Sequence, residues 1–514
     1  MWNVKLGVNL ISICDVSYIY PRSEKFALEN INISIDEGEF LAVMGENGSG
    51  KTTFCKLING IIPHLTGGRL TGNVLIGDIN IKDTTVPRMA DKIGMVFDDP
   101  DAQFFTSIVR HEASFGPENI LLPPEEINER VDFALRVTGL AGFEERLPST
   151  LSGGEKQRLS IAAALAMKSK ILVLDEPLCR LDPDGMQEVL TVLNEIKGKF
   201  RITIIMSSHN SDLMMQYADR VCVLNKGKIV ALDNVENIFG CNNLLEENGI
   251  LPVLNTKLFK SNCLNKADSD LDIFHKLAPV RAGSRSNFSE LINPVIEVKN
   301  FSFNYKNGVS IKNINLSIAE KDFIALIGKN GCGKTTLLKN ITGLLNPSGT
   351  GDIFICGKNT KDLKTFDISK EIGYVMQNPD SQLFTDTVKK EVSFALKNMK
   401  ISKAEINQRA EEALKIVGLN SFDDFEAFPH ALKRADRIKL LIACVLAMGS
   451  RIIILDEFDA GLDYNDCQKI MKLLMGLNSK GFTIIFVSHN MFLVKEYAKR
   501  IIKMSRDGAE ELIQ

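Results

Sequence analysis

Two nine-residue strings, Gly45-Glu46-Asn47-Gly48-Ser49-Gly50-Lys51-Thr52-Thr53 and Gly328-Lys329-Asn330-Gly331-Cys332-Gly333-Lys334-Thr335-Thr336, have the residue types and spacing to hold phosphate. Each contains G-x-x-x-x-G-K-[ST], follows a short apolar run (FLAVM, FIALI) and precedes a helix-like run. Glycines let backbone N–H groups curl around phosphate oxygens, and the lysine adds an ammonium for the β- and γ-phosphates. The hydroxyl of Thr52 or Thr335 can ligate Mg²⁺. One match could be a chance glycine turn, but two in register are a repeated nucleotide site.

A second set of residues stands where such a site needs acid–base chemistry. Asp175 and Asp456 end apolar runs (ILVLD, IIILD), the place for an Mg²⁺-associated carboxylate. Glu176 and Glu457 follow as candidate general bases for an attacking water. Alone, an Asp-Glu pair after a strand would simply begin a helix; an upstream phosphate loop changes that reading. His209 and His489 close two more apolar runs (ITIIMSSH, FTIIFVSH), from where a side chain can reach a γ-phosphate.

The string Leu151-Ser152-Gly153-Gly154-Glu155-Lys156-Gln157-Arg158 offers a hydroxyl and close backbone N–H groups at a helix start, where the helix dipole favours an anion. By itself it would be an ordinary helix N-cap. With the two phosphate loops, the chain resembles the ATP-binding-cassette family over nearly its whole length. That resemblance implies ATP and Mg²⁺ as cofactors and ATP hydrolysis as the reaction. It makes Glu176, Glu457, His209, His489 and Gln377 catalytic candidates and directs Thr52, Asp175, Thr335, Asp456 and Gln377 toward the metal. Ser152, Gly153 and Gly154 are directed toward the nucleotide, and Tyr20 and Tyr305 match the aromatic that stacks on adenine.

The middle segments FDDPDAQFFTSIVRHEASFGPEN (97 to 119) and MQNPDSQLFTDTVKKEVSFALKN (376 to 398) are similar to those of energy-coupling-factor transporter ATPases. The similarity implies that the regions around Gln103 and Gln382 receive the coupling helices of a multi-spanning membrane subunit. It also implies a separate substrate-binding membrane subunit for a vitamin, a vitamin precursor or a transition-metal ion. The chain would then sit peripherally on the cytoplasmic face of the cell membrane. On physical grounds alone, a solvated polar turn before an amphipathic helix fits these residues equally well.

Cassettes of this family pair head to tail, so each ATP would lie between one copy's phosphate loop and the other copy's signature. Holding both copies in one chain favours intramolecular pairing. Opposite LSGGEKQR the second copy has Leu432-Lys433-Arg434-Ala435-Asp436-Arg437-Ile438-Lys439, without the serine or either glycine. Opposite Gln377 the first copy has Asp98, and it has Cys179-Arg180-Leu181-Asp182 where the second has Ala460-Gly461-Leu462-Asp463. The glutamine and signature losses converge on one composite site, Lys51, Asp98, Asp175, Glu176 and His209 with Lys433-Arg434-Ala435. The other, Lys334, Gln377, Asp456, Glu457 and His489 with Ser152-Gly153-Gly154, keeps the consensus and is expected to do most of the hydrolysis.

The elements needed to position these residues are written twice. Lys51 recurs as Lys334, Asp175 as Asp456 and His209 as His489, offsets of about 280 residues. Each copy runs from a β-rich start through a glycine loop and helix to a helical middle, then to apolar strands ending in Asp-Glu and in His. This order predicts an α/β fold: two tandem P-loop cassettes, each with a mainly parallel sheet core, a β-rich N-terminal part and a helical subdomain. The predicted domains are 8–262 and 294–514. Residues 263–293, polar and without a strong period, read as linker.

Composition narrows the partners. With 61 Lys+Arg against 64 Asp+Glu the net charge is −3, which gives no electrostatic reason to expect nucleic acid. The ten cysteines form no C-x-x-C pair and read as reduced thiols of a cytosolic protein. The start reads as a first strand rather than a signal peptide. No run approaches the roughly 18 to 20 apolar residues of a membrane-spanning helix, so if the chain works at a membrane, other chains must do the spanning. A soluble tandem-cassette ATPase acting on ribosomes or nucleic acid is the alternative; it would be expected to carry a long charged helical linker and two intact signatures. A non-hydrolysing assembly protein would need both sites defective.

Overall fold

The computed structural model describes residues 9–179, 181, 183–253, 294–305, 310–329, 331–345, 349–399 and 401–512. They fall into two compact units, one in each half of the chain. The segment expected as linker, 263–293, lies outside the described residues.

In the first unit the runs FLAVM, ILVLD and TIIMS form strands Phe40–Met44, Ile171–Asp175 and Thr203–Ser207, and all their residues are buried. A strand covered on both faces requires such unbroken apolar character. The three lie in a six-stranded sheet ordered 228–234, 220–225, 40–44, 203–207, 171–175, 93–96. It is parallel except for Lys228–Asn234, which pairs antiparallel with Arg220–Asn225.

Alternate side chains of these strands serve two cores. Leu41, Val43, Val173 and Ile205 cluster with Phe54, Leu57 and Ile58 of helix Lys51–Ile58, and with Ile11, Ile13, Ile33 and Ile35. Those isoleucines belong to an antiparallel sheet ordered 28–36, 9–19, 69–76, 79–80. Phe40, Ala42, Leu172, Leu174 and Ile204 face the opposite way, toward helices Val109–Asn119, Pro124–Val137, Gly153–Ala166 and Pro183–Phe200.

The second unit repeats the plan. Its six-stranded sheet runs 372–375, 452–455, 483–487, 323–327, 500–505, 508–512, antiparallel only at the last pair. An antiparallel sheet of 310–318, 296–304, 350–355 and 358–359 and helices Val388–Lys397, Lys403–Ile416 and Arg434–Met448 complete it. Each half therefore has the expected mainly parallel core, β-rich start and helical part. Among the described residues no helix is long and apolar enough to cross a membrane.

Parallel strands bring their carboxyl ends to one edge. There the phosphate loop follows Met44, Glu176 follows Asp175, and Ser208-His209 follows Ser207. The long helix beginning at 153 or 434 packs closely against the neighbouring edge strand at a glycine. A Cβ at Gly94 would stand 2.7 Å from Ala164 Cβ, and one at Gly373 would stand 2.1 Å from Val445 Cγ1. Both are closer than packed carbons tolerate.

Gly373→Ala is accordingly expected to destabilise the second unit by about 1–3 kcal/mol through overpacking, and Val445→Ala in the same chain to restore part of the loss. Urea unfolding of the single and double variants checks this. Equal stability of Gly373→Ala and wild type would show that the helix can shift at no cost.

Candidate functional site

Each phosphate loop starts pressed against the strand beside the one it leaves. At Gly45 (φ 146°) a Cβ would lie 2.1 Å from Leu224 O, and at Gly328 (φ 152°) one would lie 2.4 Å from Met504 O, so only glycine fits. The buried Lys51 Nζ donates to the carbonyls of Gly45 at 3.0 Å and Glu46 at 3.1 Å, closing the loop on itself. Lys334 Nζ does the same with Gly328 at 2.7 Å and Lys329 at 3.2 Å. Gly50 and Gly333 cap the helices Lys51–Ile58 and Lys334–Ile341 in the left-handed conformation. Asn330 lies outside the described residues, as do Arg180 and Asp182.

In the first unit Glu176 occupies a left-handed backbone conformation (φ 48°), a strained position for a side chain with a Cβ. Its N–H donates to Ser207 Oγ at 2.8 Å, and that hydroxyl donates to Asp175 Oδ1 at 2.7 Å. The Glu176 carboxylate lies 3.0 Å from His209 Nε2 and 3.6 Å from Lys51 Nζ. Burial pushes Glu176 up, but His209 and Lys51 outweigh it and bring its pKa down to about 2. Burial raises Asp175 against hydrogen bonds from Ser207 and Thr52, and the charges of Glu176 and Asp98 raise it further.

The second unit reaches a similar arrangement with different partners. Glu457 is again left-handed (φ 46°), and its N–H donates to the Val487 carbonyl at 3.1 Å. Val487 stands where the first unit has Ser207 and offers no hydroxyl. Asp456 is held instead by Thr335 Oγ1 and by Tyr374 OH, each donating to Oδ2 at 2.8 Å. Gln377 Nε2 donates to Glu457 Oε2 at 2.7 Å, and His489 Nε2 lies 3.3 Å from Oε1. Burial raises Glu457, yet the hydrogen bond and charge of His489, followed by Lys334, leave it below the usual range.

The Ser152 string opens helix Gly153–Ala166 with a capping box. Ser152 Oγ accepts from Glu155 N–H at 3.3 Å, and Glu155 Oε2 accepts from Ser152 N–H at 2.7 Å. At the corresponding start, Lys433 gives helix Arg434–Met448 no side-chain cap, and Arg434 Nη2 donates to the Gln377 carbonyl at 3.1 Å. Tyr20 and Tyr305 are partly buried, held edge-on by Tyr18 at 4.9 Å and Phe303 at 5.0 Å. The hydroxyls of Tyr20 and Thr53 are hydrogen-bonded at 3.1 Å.

The Pro-Asp loops are built alike. Gln103 Oε1 accepts from Phe97 N–H at 3.0 Å, and Gln382 Oε1 from Met376 N–H at 2.7 Å, so both amides staple their own loop. The buried Glu112 accepts from Phe105 N–H, Thr106 N–H and Thr106 Oγ1 at 2.9–3.0 Å. Glu391 takes the same three donors from Phe384 and Thr385. Asp101 pairs with Lys156 at 2.7 Å, and Asp380 pairs with Arg437, which ties each loop to its signature helix. These roles of Glu112, Glu391, Ser207 and Tyr374 are absent from the sequence reading, although the repeated V-x-x-E spacing was a signal for the two glutamates.

The residues present fit ATP and Mg²⁺. The Ser49 hydroxyl is buried inside the loop without a hydrogen-bond partner, and Asp456 Oδ1 is buried without one beside the Thr335 hydroxyl. Unsatisfied hard oxygens of this kind suit Mg²⁺. Lys51, Lys334 and the loop N–H groups would hold the phosphates, with Thr52 and Asp175, or Thr335 and Asp456, toward the metal. When bound, Mg²⁺ supplies charge neutralisation of the phosphates. The chain's own contribution is a carboxylate kept ionised beside a histidine, able to orient a water and accept its proton.

The family model described as "ABC transporter" matches residues 28–179 and 311–460. A chain of Caldanaerobacter subterraneus that carries the name ABC transporter ATP-binding protein is 36% identical over 98% of this chain and 90% of its own length. One of the same name from Methanosarcina mazei is 36% identical over 97% and 88%. Among solved structures, CbiO1 of Clostridium perfringens, described as part of the ABC transporter complex CbiONQ, aligns with TM-score 0.43 at 33% identity. It covers 49% of this chain and 96% of its own. The cassette MJ0796 bound to ADP and Pi aligns with TM-score 0.40 at 26% identity over 44% and 98%.

The lowered pKa of Glu176 has a consequence for stability. A carboxyl depressed from 4.5 to about 2 stabilises the folded unit fully above pH 4.5, and the contribution disappears as pH falls from 4.5 toward 2. Wild type should therefore lose stability relative to Glu176→Gln across that window. Thermal unfolding of both proteins at stepped pH measures it; a stability difference independent of pH would rule out the His209–Glu176–Lys51 arrangement.

Proposed function

The chain belongs to the ABC transporter family of ATP-binding proteins, and on that premise we propose that it is the ATP-hydrolysing subunit of an energy-coupling-factor type importer. It works at the cytoplasmic face of the cell membrane with a multi-spanning coupling subunit. A separate membrane subunit binds a vitamin, a vitamin precursor or a transition-metal ion. The observation that carries this reading is the loop written twice around Gln103 and Gln382. In both copies the fold spends the glutamine, the glutamate and the aspartate on holding the loop, and leaves aromatic pairs exposed. Phe105 and Phe115 stack at 5.6 Å with 76% and 42% exposure; Phe384 and Phe394 meet edge-on at 4.7 Å with 63% and 45%. Exposed aromatic pairs of this kind, each made by one loop ring and one ring of the helix that follows, suit a partner's apolar helix.

Within this reading cassettes 8–262 and 294–514, joined by 263–293, pair in one molecule, and the two composite ATP sites are unequal. Glu457 orients the attacking water at the consensus site, with Gln377 and His489 beside it and Ser152-Gly153-Gly154 completing the clamp. The degenerate site retains Lys51, Thr52 and Asp175 for holding nucleotide. It has Asp98 in place of the glutamine, a carboxylate whose charge already raises Asp175. Arg434, turned to its own Gln377 carbonyl, replaces a signature glycine.

Two measurements test the proposal. Phe105→Asp with Phe384→Asp should release the chain from membranes containing its partner while ATP binding persists; undiminished sedimentation with the membranes would remove this docking surface. Glu457→Gln should lower steady-state ATPase activity by roughly a hundredfold, whereas Glu176→Gln should stay within about threefold of wild type. Equal losses, or a larger one from Glu176→Gln, would overturn the assignment of the two sites.

A further inference from the structure

The first unit contains a cavity of about 360 Å³ lined in part by Arg130, Phe133, Lys168, Lys170, Phe200 and Ile202. It sits at the amino ends of strands Ile171–Asp175 and Thr203–Ser207, the edge opposite the phosphate loop. Its size lies at the small end of the range for organic ligands, about 300–1,000 Å³. Phe133 and Phe200 meet edge-on at 5.1 Å, yet Phe200 remains 44% exposed. Two aromatic rings thus face an open space that no side chain of this unit fills.

Three cations stand around those rings. Arg130 is paired with Glu126 at 2.6 Å, and Lys168 lies 3.6 Å from the same carboxylate. Lys170 has no ion pair among the described residues, and Glu129 is the acidic residue of the lining. Lys168 is held in the left-handed conformation (φ 58°) just past the helix end, where the repeat has Gly449 at φ 87°. Glycine adopts that backbone freely and lysine does not. The first copy therefore keeps a lysine at this rim in a conformation that disfavours it.

The second copy shows what the same framework looks like without these features. Matching EINER (126 to 130) with EINQR (405 to 409) places Glu412 opposite Phe133, and matching FRIT (200 to 203) with KGFT (480 to 483) places Lys480 opposite Phe200. Glu412 accepts from Gln408 at 2.9 Å, and Arg451, opposite Lys170, lies over the Phe482 ring at 5.4 Å. There the position is polar and its cation is satisfied by its own ring. In the first copy Ile202 replaces that ring, and Lys170 is left facing the aromatic cavity.

We propose that the cavity walled by Phe133, Phe200 and the Arg130, Lys168 and Lys170 cations is a binding site for a small aromatic anion. The body packs against the two rings while the acidic group is drawn to Lys170 and its neighbours. An occupant would touch both the carboxyl end of the helix that starts at Gly153 and the strand that ends in Asp175. It would be sensed by elements of the ATP site without contacting nucleotide.

The test uses the full chain with saturating ADP and Mg²⁺, which fill the phosphate loops. 1-Anilinonaphthalene-8-sulfonate is the probe, and the neutral N-phenyl-1-naphthylamine is its uncharged counterpart. Wild type should bind the sulfonate saturably. Phe133→Glu with Phe200→Lys, which installs residues the second copy already tolerates, should weaken it by roughly tenfold. Lys170→Glu, a change at an exposed residue, should weaken the sulfonate by roughly threefold to tenfold and leave the neutral probe unchanged. Unaltered sulfonate affinity in both variants would overturn the proposal. So would an equal effect of Lys170→Glu on the two probes, which would make the cavity an apolar depression with no preference for anions. Should the double variant unfold, the Lys170→Glu comparison decides alone.

Discussion

A buried aspartate and a half-buried glutamate stand side by side at the carboxyl end of the strand next to the sheet edge in each unit, and the surrounding construction follows from the need to keep them there. Burying Asp175 beside Glu176 removes both from water and sets like charges together, which burial alone would answer by protonation. The fold divides the problem instead. Asp175 is raised in pKa and steadied by hydroxyls, while Glu176 is held ionised by His209 and Lys51. Lys51 is itself fixed by two loop carbonyls, so the phosphate loop and the Glu176 carboxylate share one cation.

Comparison of the two units shows which part of this construction is fixed and which is exchangeable. Lys334 holds its loop carbonyls as Lys51 does, but only Lys51 comes within ion-pair distance of the glutamate. The left-handed Glu and its histidine recur with nearly the same geometry. The hydroxyl beneath the aspartate does not. Ser207 lies directly across from Asp175 in the strand register. In the second unit the equivalent position is Val487, and the hydroxyl comes from Tyr374 on the other neighbouring strand. Either neighbour can supply it, because both strands present side chains to the same edge.

The Pro-Asp loops extend this logic outward. An exposed loop that holds its shape needs internal hydrogen bonds, and here Glu112 and Glu391 each gather three donors, from Phe105 and Thr106 or from Phe384 and Thr385. The ion pairs Asp101–Lys156 and Asp380–Arg437 then bind each loop to the helix that begins at the signature. Mechanical linkage between the exposed aromatics and the signature helix is therefore short within each unit.

The sequence by itself determined the repeat, the α/β class, the phosphate loops and the identity of the strand-end carboxylates. Those features are encoded within a few consecutive residues: a glycine spacing, an apolar run of strand length, a charged pair at its end. Only the tertiary structure decided what those residues touch. That Gln103 and Gln382 turn inward, that Ser207 in one unit and Tyr374 in the other steady the aspartate, and that Phe133 and Phe200 frame a cavity all depend on strands and helices far apart in the chain. Contacts of that kind are set by sheet register and by the approach of helix to strand, as at Gly94 and Gly373. A linear pattern carries no record of which distant side chain will arrive opposite.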